Sequence, residues 1–166
     1  MENNQDEFAS KLSHIFRYQD DCIVFNDEGL FEEHQKDIYP EELELEKTSR
    51  GNSCTMLDLS IRVVNGKFTY SSYDKRNDFN FEIVNYPTLQ SNVPLKPSYG
   101  VFNSQLIRFC DVNSNIEGFK ADLDTLVHKF LLKGFKLEAL KARYKIFYSN
   151  NFRRWSKFGN DIVNLF

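Results

Sequence analysis

Asp20 and Asp21 stand side by side in the stretch Arg17-Tyr18-Gln19-Asp20-Asp21-Cys22-Ile23-Val24-Phe25. Adjacent carboxylates are hard oxygen donors of the kind that hold Mg²⁺ or Mn²⁺. Cys22 through Phe25 is a short apolar run of strand-forming residues, and Ile15, Phe16 and Tyr18 carry a weaker strand pattern on the near side. The stretch therefore predicts a β-hairpin with both aspartates at its tip. Burying two carboxylates between apolar strands is costly unless a cation neutralises them. Paired divalent ions that clamp the attacking and leaving oxygens of an in-line displacement are the chemistry of nucleotidyl transfer. The same residues also read as an exposed acidic turn, because the four-residue pattern is short enough to recur by chance.

A second group of residues is suited to holding a polyanion. Residues 129–157 carry nine Lys and Arg against Glu138 alone, a formal +8, whereas residues 1–48 carry fourteen Asp and Glu against four Lys and Arg, a formal −10. An acidic half beside a basic half suits a protein that keeps nucleic acid near divalent cations; mutually balancing solvated faces are the alternative. Lys141, Arg143 and Lys145 are the candidates for backbone phosphates, and Lys75 and Arg76 form a basic pair in a polar loop. The aromatic residues interleaved with the later lysines, Phe135, Tyr144, Phe147, Tyr148, Phe152 and Trp155, read as core more readily than as a base-stacking platform. His14, His34 and His128 lie far apart with no ligand-spaced partners, and no nucleophile-elbow context supports a hydrolase.

The elements that must position these groups divide the chain into a β-rich first half and a helical second half. Residues 6–16 place Phe8, Leu12, Ile15 and Phe16 at helical spacing, with Asp6 as an N-cap. Residues 31–42 read as an acidic surface segment. Leu43, Leu45 and Lys47 alternate with Glu44, Glu46 and Thr48, the period of a half-exposed strand. Met56 through Val64 runs into Asn65-Gly66 and then Lys67-Phe68-Thr69-Tyr70. Asn-Gly between alternating runs is a strong hairpin signal, since both residues tolerate the positive φ of a type I′ turn. Residues 15–25 and 43–70 are expected to share one antiparallel sheet. Pro87, Pro94 and Pro97 punctuate an irregular linker over 73–99. Beyond it, Phe102, Leu106 and Phe109 predict one helix. Ile116, Phe119, Leu123, Leu126, Val127, Phe130 and Leu131 predict a second that Gly134 caps. Leu137, Leu140, Tyr144, Phe147, Tyr148 and Phe152 predict a third.

With 166 residues, 41% hydrophobic and 15% aromatic, the chain can bury a core, which excludes global disorder. No apolar run reaches membrane-spanning length, and Met-Glu-Asn-Asn-Gln-Asp-Glu is unlike a signal peptide. Cys22, Cys54 and Cys110 are odd in number and widely spaced, which fits reduced thiols and excludes a CxxC zinc site. The expectation is a soluble protein of the nucleus or cytoplasm, not secreted and without a membrane partner.

In this order the chain resembles the C-terminal part of a retrotransposon reverse transcriptase, of the Penelope-like or a related animal group. The resemblance is carried by Arg17-Tyr18-Gln19-Asp20-Asp21, Ile38-Tyr39-Pro40-Glu41-Glu42-Leu43, Leu57-Asp58-Leu59-Ser60-Ile61 and Tyr73-Asp74-Lys75-Arg76-Asn77-Asp78-Phe79. It continues through Ile83-Val84-Asn85-Tyr86-Pro87, Pro97-Ser98-Tyr99-Gly100-Val101, Ser104-Gln105-Leu106-Ile107-Arg108-Phe109 and Ser156-Lys157-Phe158-Gly159, spanning nearly the whole chain. It implies an α+β fold: a partial right-hand polymerase palm with the Asp-Asp hairpin over 1–72, the linker 73–99, and a helical thumb over 100–166. Asp20 would be a direct Mg²⁺ ligand (or Mn²⁺) and catalytic residue, with Asp21 supporting it. The hairpin over Ile61 to Tyr70, including Lys67, would hold the primer end. Tyr18, Lys75, Arg76, Lys141, Arg143 and Lys145 would meet nucleic acid. RNA template and DNA primer are the implied partners. In the family the other catalytic aspartate, the fingers and the basic residues that grip the nucleotide precede this portion, and residues 1–14 do not match them. The chain is thus expected to be a fragment inactive alone, taking deoxynucleotides only with the upstream half supplied, and self-associating through an exposed palm edge. Two other readings remain: a non-catalytic nucleic-acid-binding module derived from a polymerase thumb, and an unrelated intracellular α+β interaction domain.

Overall fold

Turn chemistry sets the first half of the chain and helical periodicity the second. A computed structural model describes residues 13–26, 29–81 and 83–166. The architecture is α+β, with small antiparallel ladders followed by helices. The chain divides into two units, one ending at Leu57 and the other running Asp58–Phe166.

In the first unit, β1 (Ile15–Tyr18) and β2 (Asp21–Val24) form an antiparallel hairpin in which Tyr18 faces Asp21 and Ile15 faces Val24. The two-residue turn is Gln19-Asp20, and Gln19 adopts the positive φ of 51° that such a turn needs. The helical spacing over 6–16 is corrected here: Ile15 and Phe16 lie in β1, and residues 6–12 fall outside the described residues. Helix α1 (Leu30–Ile38) occupies most of the acidic segment; Glu32 and Glu33 in its first turn and Lys36 in its last complement the helix dipole. The strand expected over 43–47 is absent. Those residues are irregular, and Lys47 reaches back to pair with Glu32. Alternation builds a strand only where a partner strand takes up its backbone groups. Strand β3 (Ser53–Met56) follows, and the run read as continuous to Val64 turns at Leu57, whose φ is 55°.

In the second unit, β4 (Leu59–Val64) and β5 (Lys67–Ser72) pair in register from Leu59 opposite Ser72 to Val64 opposite Lys67. Asn65 and Gly66 close the turn with φ of 51° and 73°, the type I′ requirement. Among the described residues the β1–β2 ladder and the β4–β5 ladder belong to separate sheets, which corrects the single sheet expected.

Three long helices follow: α2 (Leu95–Val112), α3 (Ile116–Leu132) and α4 (Leu137–Asn150). The first begins before its apolar periodicity does, with Pro97 in the opening turn, where a backbone N–H has no intrahelical partner to lose. Asn115 caps α3 by accepting from the Gly118 N–H at 2.9 Å. At its other end Gly134 has φ 86°, and Phe135 N–H donates to the Phe130 carbonyl at 3.1 Å, a Schellman closure. A short helix, α5 (Phe152–Trp155), and two 3₁₀ turns complete the unit. Phe102, Leu106, Phe119, Leu123, Leu126, Phe130, Leu140, Phe147 and Ile162 fill the core. Each contributes roughly 1.5–3 kcal/mol through the surface it removes from water. Strand β5 is fastened to the α2–α3 junction, where Tyr70 N–H donates to Ser114 Oγ at 3.0 Å and Ser114 N–H to the Tyr70 carbonyl at 2.8 Å.

Candidate aspartate hairpin and basic surfaces

The β1–β2 turn places Asp20 at its apex and Asp21 at the first position of β2, both exposed, with the Tyr18 ring beside them half open to solvent. The expectation of buried carboxylates is thereby corrected: a two-residue turn at a hairpin end projects its side chains into water. Arg17 does not lie over the pair. Its Nε donates to the Gln19 carbonyl at 2.8 Å, and its guanidinium sits 5.1 Å from the centre of the Tyr39 ring. Tyr39 in turn lies 3.5 Å from Cys22 Sγ, and that hydrogen bond with partial burial raises the phenol pKa. Phe16 and Phe25 meet edge to face at 6.0 Å. The hairpin is held by its own flank, leaving the aspartates free of structural duty. Among the described residues no group of three or more His, Cys, Asp or Glu side chains gathers where it would hold a metal. Two exposed carboxylates fit Mg²⁺ as part of a ligand set and not as a whole one, so no reaction step is assigned to an ion there.

In the second unit the turn after β5 is built around Arg76. Asp74 caps a 3₁₀ turn (Lys75–Asp78) by accepting from the Arg76 N–H at 3.2 Å. Its carboxylate also takes a fork from the same side chain, Nε to Oδ1 at 2.7 Å and Nη2 to Oδ2 at 2.9 Å. The arginine holds the Asp74 carboxyl below the ordinary carboxylate range. With its amide oxygen turned inward, Asn85 accepts from Arg76 Nη1 at 2.9 Å. A polar cavity of about 160 Å³ opens beside this fork, lined by Arg76, Arg108, Lys129, Asp122, Tyr86 and Gln105 among others. Its charges are largely answered: Arg108 pairs with Asp58 at 3.1 Å, and Asp122 accepts from Ser72 at 2.6 Å and from Asn113 at 2.7 Å. Burial raises the Tyr86 phenol pKa against the opposing pull of Arg76, and Tyr86 holds a positive φ of 63°.

The basic residues named from sequence are only partly brought together. Lys67 is exposed at the end of the β4–β5 turn, and Lys75 is exposed while its neighbour Arg76 is engaged internally. Along α4, Leu140, Tyr144 and Phe147 face the core. Lys141 and Lys145, four apart, share one flank of that stripe, whereas Arg143 lies on the other, 5.5 Å from the Tyr99 ring. Of the interleaved aromatics, Phe135, Tyr144, Phe147 and Trp155 are buried and Phe152 is exposed.

Sequence reasoning missed the Asp122–Asn113–Ser72 linkage and the Arg108–Asp58 pair, which join residues far apart in the chain. The Asp74–Arg76 fork carries a local signal, an aspartate two residues before an arginine at a turn. No helix among the described residues is long and apolar enough to cross a membrane. Comparison with protein-family models, with curated proteins and with solved structures finds no match to this chain.

Proposed function

We propose that the chain is the palm-and-thumb portion of a retroelement reverse transcriptase, an RNA-directed DNA polymerase, and that its helical unit follows an RNA–DNA primer–template. The observation that supports this reading is the order of elements. An aspartate pair at a hairpin turn precedes a second hairpin closed by Asn65-Gly66, and three long helices follow, the last with half-buried Lys141 and exposed Lys145 on one flank. That is the order in which the family resemblance puts metal motif, primer-holding hairpin and thumb. On this reading Asp20 is a Mg²⁺ ligand with Asp21 supporting it, Tyr18 meets nucleic acid, Lys67 belongs to the hairpin that holds the primer end, and Lys141 and Lys145 track phosphates.

The test is binding of a labelled RNA–DNA duplex across a salt series. The reading expects affinity that falls steeply with salt and depends little on sequence. Lys141→Ala with Lys145→Ala should flatten the logarithmic slope by roughly one to two units, while Asp20→Asn leaves binding intact. Identical slopes for variant and wild type would remove the thumb role. Primer extension is expected only when a fingers and upstream palm segment is supplied in trans, and it should vanish in Asp20→Ala. A non-catalytic nucleic-acid-binding module is the second reading, favoured by the exposure of both aspartates and the missing third ligand among the described residues. It expects the same duplex binding and no extension under any supplementation.

A further inference from the structure

Between the segment that follows the Arg76 turn and the end of α3 lies an open cleft of about 520 Å³. Its walls combine Phe79, Phe81 and Leu132 with Arg76, Lys129 and Lys133. Phe79 is 47% exposed, Phe81 61% and Leu132 74%, so three large apolar side chains face water within one concavity. Scattered exposed apolar residues are ordinary, but a clustered set marks a binding surface. The two rings lie 5.3 Å apart and are tilted by 46°, an arrangement that leaves ring face available to a third planar group. Every charged residue lining the cleft among the described residues is a cation.

The cleft is held open by its surroundings. Arg76 is fixed by the Asp74 fork at one end. At the other, Leu89 N–H donates to the Lys133 carbonyl at 2.9 Å, tying the linker to the end of α3. Between them Tyr86 packs on Phe130 with ring centres 5.1 Å apart. The segment carrying both phenylalanines is thus anchored on either side.

A ligand that answers exposed aromatic faces and a cationic edge together has planar rings joined by regularly spaced anions, which describes single-stranded nucleic acid. A duplex keeps its base faces within its own stack and satisfies only the lysines. We infer that this cleft binds single-stranded nucleic acid, with bases stacking on Phe79 and Phe81 and phosphates following Lys129 and Lys133. The inference does not rest on the polymerase reading.

Fluorescence anisotropy of the full chain with three labelled ligands tests it: an oligo-dT strand, an abasic strand of equal length and charge, and a duplex. Stacking is worth roughly 1–3 kcal/mol per base, about 5- to 150-fold in affinity. Oligo-dT should therefore bind at least about tenfold more tightly than the abasic strand. Phe79→Ala with Phe81→Ala should erase that advantage while leaving abasic-strand and duplex binding unchanged; both side chains are exposed, so the variant should keep its helical circular dichroism. Lys129→Ala with Lys133→Ala should weaken both single strands. Equal binding of oligo-dT and abasic strand, or an unchanged oligo-dT affinity in the double phenylalanine variant, overturns the inference. A peptide alternating glutamate with phenylalanine that binds more tightly than oligo-dT, and loses that binding in the same variant, assigns the cleft to acidic peptides and equally overturns it. Loss of the duplex arm alone speaks against the thumb reading and leaves this site standing.

Discussion

The two units of the chain differ in how they resist water. Residues Asp58–Phe166 contain all the buried side chains among the described residues, from Ser98 to Ile162, whereas described residues 13–57 contain none. Helices of 18, 17 and 14 residues repeat an apolar stripe often enough to enclose a core. Strands of four residues in β1, β2 and β3 cannot do so. The two kinds of candidate chemistry are therefore segregated: the aspartate pair sits on the unit with the least packing, and the phosphate-binding candidates sit on the unit with the most.

The contrast is broken most directly by truncating a core ring. Phe130 meets Tyr86, Phe102 and Phe135 within 5.4 Å. Phe130→Ala should cost about 3–5 kcal/mol in a urea titration. Ile23→Ala in β2 should cost less than about 1.5 kcal/mol, because the site is only half-buried. Comparable losses at the two positions would mean that the first unit contributes as much packing as the second.

Gly118→Ala gives a smaller effect of unexpected sign. In a helix, alanine is ordinarily the better residue by about 1 kcal/mol. Here a Cβ would lie 2.3 Å from Asn113 Oδ1, so the buried Asn113 would have to move. Its Nδ2 bonds to Asp122 and to the Phe109 carbonyl would be disturbed. The net should be a destabilisation of about 1–3 kcal/mol. A raised thermal midpoint would show that Asn113 relocates without loss.

Alkaline pH should act most strongly on the second unit, where burial raises the Cys110 thiol and the Tyr144 phenol furthest. Burial pushes the Cys110 thiol from an ordinary 9.0 up to about 12, and burial likewise raises Tyr144 well above the usual phenol range. The unfolded chain releases the Cys110 proton above about 9 while the folded one retains it to about 12. Stability is therefore fully present below pH 9 and declines through that window. Thermal unfolding at stepped pH checks this, and Cys110→Ala should remove the cysteine share of the decline. A midpoint flat up to pH 12 would contradict the burial of both groups.

The smallest effect belongs to the aspartate hairpin. Asp20→Asn removes an exposed charge with no fold to support and should change stability by under about 0.5 kcal/mol. A larger stabilisation would show that the adjacent carboxylates are strained against each other.

Much of this organisation was legible in the chain itself. The Asn65-Gly66 hairpin, the Gly134 cap and three helices follow from local rules: positive φ at a tight turn, a left-handed closing residue, apolar residues three and four apart. The alternation at 43–47 and, at Ile15 and Phe16, the helical spacing over 6–16 misled, because each pattern has meaning only when a neighbour receives its apolar face. The nine-residue helix α1 lies in a stretch that reads from sequence only as an acidic surface segment, and none of its residues is buried.

The residue order by itself determined where turns, caps and core stripes fall, since those depend on φ preferences and on spacing within a few residues. Only the tertiary structure decided that Asp20 and Asp21 face water and that Arg143 parts from Lys141 and Lys145. It alone closed Arg76 into a fork with Asp74 and Asn85, and set Phe79 and Phe81 across a cleft from Lys129 and Lys133. The place of Arg143 and the make-up of the cleft depend on which side of an element the neighbouring packing leaves open, and that is fixed by contacts between residues tens of positions apart.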